Sequence, residues 1–215
     1  MKFVINHQEN YSRAELLLRT FFGIIYIAIP HYFLLAFVGI WSSILSFISW
    51  WVILFTGEYP ESFYEFQVAY NRWSLRVIAR LMNLSDGYPA FGINGTDENT
   101  EFQMPYPKRL SRGILLLRAF FGWLYVGVPH GFMLFFRSIG TYVLVFLAWW
   151  VVLFTGKYPK SWHEFNTGTM RWATRVSIYL LFMTDEYPQF TGRELEEKIP
   201  ESGSTEETSN EPQNG

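Results

Sequence analysis

Two histidines are the side chains best suited to chemistry in this sequence, because each follows a proline inside a long apolar stretch. The dipeptides are Pro30-His31 and Pro129-His130. An ionisable side chain is costly in apolar surroundings, so its presence there favours a functional role. Two imidazoles on facing helices could hold a b-type haem or a metal ion, or pass a proton. His31 and His130 are therefore the candidate cofactor-binding residues.

A structural role for the same histidines is the competing interpretation. Proline lacks a backbone N–H and frees a carbonyl about four residues earlier in a helix. A neutral imidazole beside it could donate a hydrogen bond to that carbonyl. The apolar stretches contain no Asp or Glu, although a proton or cation path usually has one. We expect no cofactor and no bound metal, and keep a bis-histidine haem redox protein as the weakest alternative.

The sequence shows no catalytic constellation. Asp86 and Asp185 open the repeated motif Asp-x-Tyr-Pro-x-Phe, but acid-base chemistry would need a partner that the motif lacks, so we expect a turn or a helix cap. Cysteine is absent, which excludes a thiol nucleophile and a thiolate metal site. A phosphate-binding glycine loop, a zinc-protease helix and a nucleophile elbow are also missing. We predict that the chain is not an enzyme.

The elements that position these residues occur twice. Residues 12–91 match residues 111–190 without a gap, at an offset of about 99 residues and with about half of the positions identical. A period of that length indicates a duplicated module rather than a solenoid unit. The chain then divides into a first repeat, a cytoplasmic connector, a second repeat and a tail, at residues 12–92, 93–110, 111–192 and 193–215.

Each repeat begins with a long apolar run. No residue from Thr20 to Gly57 is charged, and this run is roughly twice the length that crosses a bilayer as one helix. We therefore predict a helical hairpin with a tight reversal near residues 38–42, where the second repeat has Arg137. Lipid offers the backbone no other hydrogen-bond partner, so the spans must be helical. The predicted spans are residues 20–37, 40–56, 119–136 and 141–155.

The predicted fold is an all-α membrane protein with four transmembrane helices. Two spans per repeat place both termini on one side, and relate the repeats by a pseudo-twofold axis along the membrane normal. Every Lys and Arg except Arg137 then lies on that side, which the positive-inside rule identifies as the cytoplasm. Trp50-Trp51 and Trp149-Trp150 are expected in the aromatic belt at the cytoplasmic interface. The N-terminus has no signal-peptide core, so we expect the first span to direct insertion.

An amphipathic helix is predicted after each hairpin, at residues 62–84 and 161–183, because apolar residues recur there every three or four positions. Ser62 and Glu65 have the spacing of a capping box. Arginines one turn apart could reach lipid phosphates or a partner protein, although simple interfacial anchoring is the competing interpretation. The candidate lipid or partner interface comprises Arg72, Trp73, Arg76, Arg171, Trp172 and Arg175.

The charge and the composition indicate which kinds of partner the chain can bind. The net charge is −2, and the sequence lacks the cationic stripe that binds a nucleic acid. Half of the residues are hydrophobic and 20% are aromatic, which favours the lipid bilayer as the main partner. The tail from residue 193 is rich in Glu, Ser, Thr, Pro and Asn and is expected to be disordered.

The repeated motifs resemble one protein family. Trp-Trp-x-x-Leu-Phe-Thr-Gly-x-Tyr-Pro, Arg-Trp-x-x-Arg-Val and Asp-x-Tyr-Pro-x-Phe occur in both repeats. Together they are similar to the bacterial membrane-protein family catalogued as domain of unknown function 4389, over residues 12–190. The resemblance implies an integral bacterial membrane protein and carries over no activity and no catalytic residue. Together with the charge bias, it predicts a multi-pass protein of the bacterial inner membrane with both termini in the cytoplasm.

Three functions remain open from the sequence. The first is a non-enzymatic scaffold or accessory subunit that binds membrane partners or anionic lipid headgroups, which the duplicated bundle and the missing catalytic constellation favour. The second is a small transporter, channel or lipid-translocating protein with its pathway between the repeats. The third is the haem redox protein that would use His31 and His130.

Overall fold

Helices dominate the computed structural model, which describes residues 1–194. Each repeat contributes one long helix and one shorter helix. The long helices are α1, Arg13–Thr56, and α3, Arg112–Thr155, and both are long and apolar enough to cross a membrane. The shorter helices are α2, Glu61–Leu81, and α4, Lys160–Leu180. A two-stranded antiparallel sheet joins β1, Lys2–Ile5, to β2, Thr100–Gln103.

The predicted hairpins are wrong, because each long helix continues through the expected reversal. Residues 38–42 lie in the middle of α1. The hydroxyl of Ser43 donates to the carbonyl of Gly39 within the helix, over 2.9 Å. Gly39 serves close packing instead of a turn, since a Cβ there would lie 3.0 Å from the hydroxyl of Tyr70. The four predicted spans therefore merge into two helices, and the argument that even spans place both termini on one side loses its basis.

Arg137 also lies in mid-helix, although we expected it at a water interface. Its guanidinium folds back against α4, where it donates to the hydroxyl of Thr169 over 2.9 Å. The same group stacks on the ring of Phe165, 4.2 Å from the centroid. The packing of this side chain within the protein replaces the solvation that the sequence suggested.

A short π-helical segment interrupts each long helix just before its proline. The segments are Ile24–Ala28 and Trp123–Gly127. Such segments add one residue to a helical turn, and they occur often at functional sites. They also change the direction in which the following side chains point, so they set the orientation of His31 and His130.

The helix ends follow local sequence signals, with one exception. Gly57 and Gly156 end the long helices in the left-handed conformation, at φ 79° and 72°, as the Thr-Gly pair predicts. Ser12 caps α1 through its hydroxyl, which accepts from the backbone N–H of Glu15 over 3.3 Å. The capping box predicted at Ser62 does not form, because α2 already begins after Pro60 and has no side-chain cap.

The shorter helices pack antiparallel along the long helices of their own repeats. Gln67 of α2 contacts Ser42 of α1, accepting from its hydroxyl over 2.6 Å and donating to its carbonyl over 2.7 Å. Nearer the start of α1, Ile27 packs with Trp73 and Val77 of α2 in a buried apolar cluster. Arg137 and Thr141 make the matching contacts to α4 in the second repeat.

The repeats are joined by reciprocal contacts at the ends of the long helices. The backbone N–H of Tyr11 donates to the carbonyl of Gly156, and that of Leu110 donates to the carbonyl of Gly57, both over 2.8 Å. The indole N–H of Trp149 donates to the hydroxyl of Thr20 over 2.8 Å. The start of each long helix therefore lies beside the end of the other, so the two run antiparallel.

The connector contains the strand that the sequence did not reveal. β2 pairs with β1 in the register Phe3 to Phe102, and both phenylalanines are buried in the main apolar core. The predicted all-α fold is therefore correct apart from this small sheet. Of the tail expected to be disordered, residues 195–215 lie outside the described part of the chain.

Candidate functional site

Each of the two histidines accepts a hydrogen bond from a tryptophan on the shorter helix of its repeat. The indole Nε1 of Trp73 lies 2.9 Å from Nδ1 of His31, and Trp172 lies 2.9 Å from Nδ1 of His130. Indole nitrogen is only a donor, so Nδ1 must be the acceptor in both pairs. Both imidazoles are therefore neutral, with their proton on Nε2.

A phenylalanine from the closing motif covers the face of each imidazole. Phe91 stacks on His31 with 3.9 Å between ring centroids and 4° between planes. Phe190 stacks on His130 at 3.8 Å and 11°. Both histidines are fully buried. The motif that we expected only to end each repeat also closes the histidine site.

A tyrosine of the same motif bonds the carbonyl that each proline frees. The hydroxyl of Tyr88 donates to the carbonyl of Tyr26 over 3.0 Å, four residues before Pro30. The hydroxyl of Tyr187 donates to the carbonyl of Tyr125 over 3.2 Å. The proline therefore does free an acceptor, as predicted, but tyrosine and not histidine is the donor. The Tyr-Pro-x-Phe motif in both repeats was the sequence feature that could have indicated this role of the tyrosine.

The repeats differ at the second ring nitrogen. Nε2 of His130 lies 3.2 Å from the hydroxyl of Tyr187. Nε2 of His31 is buried and has no hydrogen-bond partner among the described residues. A buried N–H without a partner costs about 1–3 kcal/mol. The first repeat is therefore the less well satisfied copy of the site.

The geometry does not bring the histidines together as a ligand pair. Each imidazole is enclosed by the Trp and Phe of its own repeat, and the two tryptophans belong to separate apolar clusters. Nδ1 is engaged by indole in both cases, so an axial bond to haem iron would require the Nε2 side of each to open. Within residues 1–194, no group of three or more His, Cys, Asp or Glu is arranged to hold a metal ion.

The aspartates of the closing motif hold the start of each long helix. Asp86 accepts from the backbone N–H of Ser12 over 2.5 Å and pairs with Arg19 over 2.7 Å. Asp185 repeats both contacts with Ser111 and Arg118. Negative charge at a helix N-terminus is stabilising. These carboxylates therefore act as the structural caps that the sequence predicted.

Five of the six residues expected at a lipid or partner interface are buried. Trp73, Arg76, Trp172, Arg171 and Arg175 are at most 9% exposed, so they cannot reach lipid phosphates. The sequence could not reveal this, because the covering segments come from distant parts of the chain. The expected headgroup role is replaced by contacts inside the protein.

The arginines of α2 donate to backbone carbonyls of the chain segments that cover this helix. Arg76 bonds the carbonyls of Gly95, Ala90 and Gly92, while Arg72 bonds that of Phe102 over 3.1 Å. Burial lowers the pKa of Arg76, and the nearby carboxylate of Asp97 opposes this effect. The carbonyls thus replace the water that the guanidinium loses.

The same arrangement recurs on α4. Arg171 bonds the carbonyls of Phe3 and Gly192, over 2.8 and 2.7 Å. Arg175 bonds those of Thr191 and Arg193, over 3.1 and 2.7 Å. In both repeats the arginines fasten a loop to the outer face of the shorter helix.

A further histidine links the repeats, and no sequence motif distinguishes it. His163 of α4 is 2% exposed and donates from Nε2 to the carbonyl of Leu84 over 2.9 Å. Burial lowers its pKa to about 4. Its ring also meets that of His7 at 5.1 Å between centroids. The imidazole is therefore a neutral structural donor near pH 7.

The fold and the histidine sites define a duplicated helical protein with two long, outwardly apolar helices. Each repeat contains its own Pro-His, Trp and Tyr-Pro-x-Phe site. The chain belongs to the family described as Domain of unknown function (DUF4389), whose match covers residues 13–92 and 116–192. No curated protein and no solved structure matches the chain.

Proposed function

We propose that the chain is an integral protein of the bacterial cytoplasmic membrane. The observation that carries this proposal is the outer surface of α1 and α3, each of which exposes eighteen large hydrophobic side chains. Soluble monomers rarely expose apolar patches larger than a few hundred Å². Only 22% and 17% of the most apolar windows of these helices are buried within the protein. Hydrocarbon is the solvent that suits such a surface.

The symmetry and the termini belong to the same proposal. The reciprocal contacts of Tyr11 with Gly156 and of Leu110 with Gly57 support a pseudo-twofold relation between the repeats. The cations near the helix ends support a cytoplasmic position for both termini by the positive-inside rule. These cations include Arg13, Arg109, Arg112 and Lys157.

Within that membrane the chain acts as a non-enzymatic scaffold or accessory subunit. The side chains that could do chemistry are engaged in the fold: His31 and His130 by indole, and Asp86 and Asp185 by helix starts. Arginines hold the loops in place through their backbone carbonyls. This architecture favours a rigid polar surface presented at the membrane, to which another membrane protein or anionic headgroups bind.

The test is purification in native nanodiscs with quantitative identification of lipids and co-purifying proteins. The expected result is one partner, or one lipid class, that is enriched reproducibly over an unrelated membrane protein of similar size. The test variant carries charge reversals at exposed polar-layer residues, Glu98→Lys with Glu186→Lys. It should lose an enriched protein partner, whereas enrichment of an anionic lipid should be kept or increased, because the variant adds positive charge. Solute, ion or lipid flux in reconstituted liposomes would instead support the transporter. A Soret band would support the haem protein.

A further inference from the structure

All packing on each long helix is confined to one narrow stripe. In α1 the buried positions recur every three or four residues, apart from the interval between Leu35 and Ser42, where Val38 and Gly39 are half-buried, and most of the remaining surface is exposed. In α3 the buried positions recur in the same way from Leu115 to His130, and half-buried residues such as Leu134 and Arg137 continue the stripe towards Thr141, Ala148 and Val152. The rest of the protein therefore lies along one side of each long helix over its whole length. The stripe of α1 comprises Leu16, Arg19, Gly23, Ile27, His31, Leu35, Ser42, Leu45, Ser49 and Ile53.

The shorter helices separate the long helices from a polar layer. On α2, Gln67, Trp73 and their neighbours face α1, whereas Arg72 and Arg76 bond the loops and β2. At 100° per residue, Arg72 and Arg76 lie about 140° and 180° around the helix from Gln67, so they face away from the contact between Gln67 and α1. The structure thus has three layers, with the long helices at one surface and the loops and sheet at the other.

One polar layer covers both repeats. The carbonyl of Phe102 in β2 accepts from Arg72 of α2, and the carbonyl of Phe3 in the adjacent strand accepts from Arg171 of α4. Both arginines lie near the middle of their helices. Lys2 and Glu101 form an exposed ion pair on this sheet, at 2.8 Å. Charged, irregular chain therefore lies beside the midpoints of the helices, on the same side of both.

This arrangement does not fit long helices that cross a bilayer. If they crossed it, the sheet and the loops with their charges would lie at mid-depth in the membrane, where lipid-exposed irregular backbone does not occur. The uncharged segment of α1 is also too long to cross the hydrocarbon core. The 38 uncharged residues from Thr20 to Gly57 extend about 57 Å at 1.5 Å each. To fit a hydrocarbon core of ~30 Å they would tilt by about 58°, beyond the usual 0–40°.

We propose that α1 and α3 lie flat within one leaflet, with the polar layer in the cytoplasm. This inference rests on the proposed membrane location and specifies its geometry. A layer of helices is about 10–12 Å thick, which fits the ~15 Å of hydrocarbon in one leaflet. The pseudo-twofold axis then runs along the membrane normal, and both termini share one side although each repeat has a single long helix.

Aromatic side chains mark the expected headgroup level. Outside the long helices, the exposed large hydrophobic residues of the described chain are mostly aromatic and belong to the connector or the closing motifs. Tyr88 and Tyr187 also hydrogen-bond the long helices, so they lie at the boundary between the apolar and polar layers. Rings with a polar tip favour this level of a membrane. The set is Tyr88, Phe91, Tyr106, Leu181, Tyr187 and Phe190.

The decisive measurement is the depth of residues spaced along α1. The chain has no cysteine, so single-cysteine variants Phe21→Cys, Ile40→Cys and Phe55→Cys can each carry an environment-sensitive fluorophore. All three positions are at least 61% exposed. After reconstitution in phosphatidylethanolamine and phosphatidylglycerol vesicles, quenching by lipids spin-labelled at different acyl carbons reports the depth of each probe. Phe120→Cys and Phe154→Cys are the matched positions on α3.

We expect the three α1 probes to lie at one depth within about 5 Å, one helix radius. A helix that crosses the bilayer at the tilt of about 58° given above separates the probes at residues 21 and 55 by about 27 Å in depth, because they are about 51 Å apart along it. Depths that rise and fall along the helix would therefore overturn the flat arrangement.

A second measurement tests the single polar face. Glu98→Cys in the first repeat and Glu186→Cys in the second are exposed, and an impermeant maleimide should modify both from the same side of sealed vesicles. Modification from opposite sides would overturn the proposal. Vesicle flotation tests the membrane location separately from the flat orientation. A chain that does not float, or that forms a lipid-free dimer, contradicts the membrane location itself, whereas a floating chain with graded depths contradicts only the flat orientation.

Discussion

The indole N–H of Trp73 donates to Nδ1 of His31 over 2.9 Å, and this bond fixes the tautomer of a fully buried imidazole. The matching bond between Trp172 and His130 has the same length. A neutral histidine with Nδ1 occupied is a rigid connection between the long and short helices. The repeated pair therefore stabilises the protein where the sequence alone suggested a ligand.

Replacement of Trp73 by Phe should lower stability by about 1–3 kcal/mol, because Nδ1 of His31 would become a buried acceptor without a partner. The midpoint of thermal unfolding in detergent measures the effect. Trp51→Phe is the control, since that indole is 44% exposed on the outer surface of α1. Equal losses in the two variants would show that the hydrogen bond contributes nothing beyond the loss of ring area.

The bond from Tyr88 to the carbonyl of Tyr26 should depend on Pro30. Tyr88→Phe is expected to cost about 1 kcal/mol, since the freed carbonyl would lose its donor. In a Pro30→Ala background the alanine N–H can bond that carbonyl, so the same change should cost less. A double-mutant cycle on unfolding free energies measures the coupling. If the two substitutions had strictly additive effects on the unfolding free energy, Tyr88 would not be bonding the carbonyl that Pro30 frees.

His163 should make stability depend on pH. Burial lowers its pKa from 6.5 to about 4, so the unfolded chain takes up this proton first as the pH falls. The contribution is fully present above pH ~6.5 and is lost between there and pH ~4, by roughly 3 kcal/mol.

His163→Gln should flatten that dependence while its amide still donates to Leu84. Because His7 packs against His163, both proteins in the comparison carry His7→Gln. Unfolding midpoints at a series of pH values provide the measurement. A slope that survives in the glutamine variant would assign the titration to another group.

Removal of the aspartate from a closing motif should destabilise the second repeat more than the first. Asp185→Ala leaves the buried Arg118 without an ion pair among the described residues and is expected to cost about 3 kcal/mol. Arg19 keeps Glu15 at 3.2 Å, so Asp86→Ala should cost less. Urea or thermal unfolding of both variants compares them directly. Adding Arg118→Leu to Asp185→Ala should recover part of the loss, because the unpaired charge is gone.

The sequence predicted features that depend on local patterns. Gly57 in the left-handed conformation, the amphipathic helices and the freed carbonyl before Pro30 all follow from residues within one or two turns. The reversal near residue 39 was wrong because Gly39 and Ser42 face α2. A glycine in a turn and a glycine at a helix contact look alike until the partner helix is known.

The burial of Arg76 was missed for a similar reason. An arginine beside an apolar stripe predicts a surface position, yet residues 90–95 fold over this one and supply its carbonyl partners. The pairing of Phe3 with Phe102 spans most of the first half of the chain, and four-residue strands carry little local signal. The burial of Arg76 and the pairing of the two strands both depend on contacts between distant segments of the chain.

The small sheet also implies an order of assembly. Both strands, Lys2–Ile5 and Thr100–Gln103, precede the second repeat in the chain. A polypeptide that emerges from the ribosome with its N-terminus first has the whole sheet available before residue 111 is made. Arg171 can bond the carbonyl of Phe3 only later. The strands can therefore pair before the second repeat is made, and the contact from α4 is added afterwards.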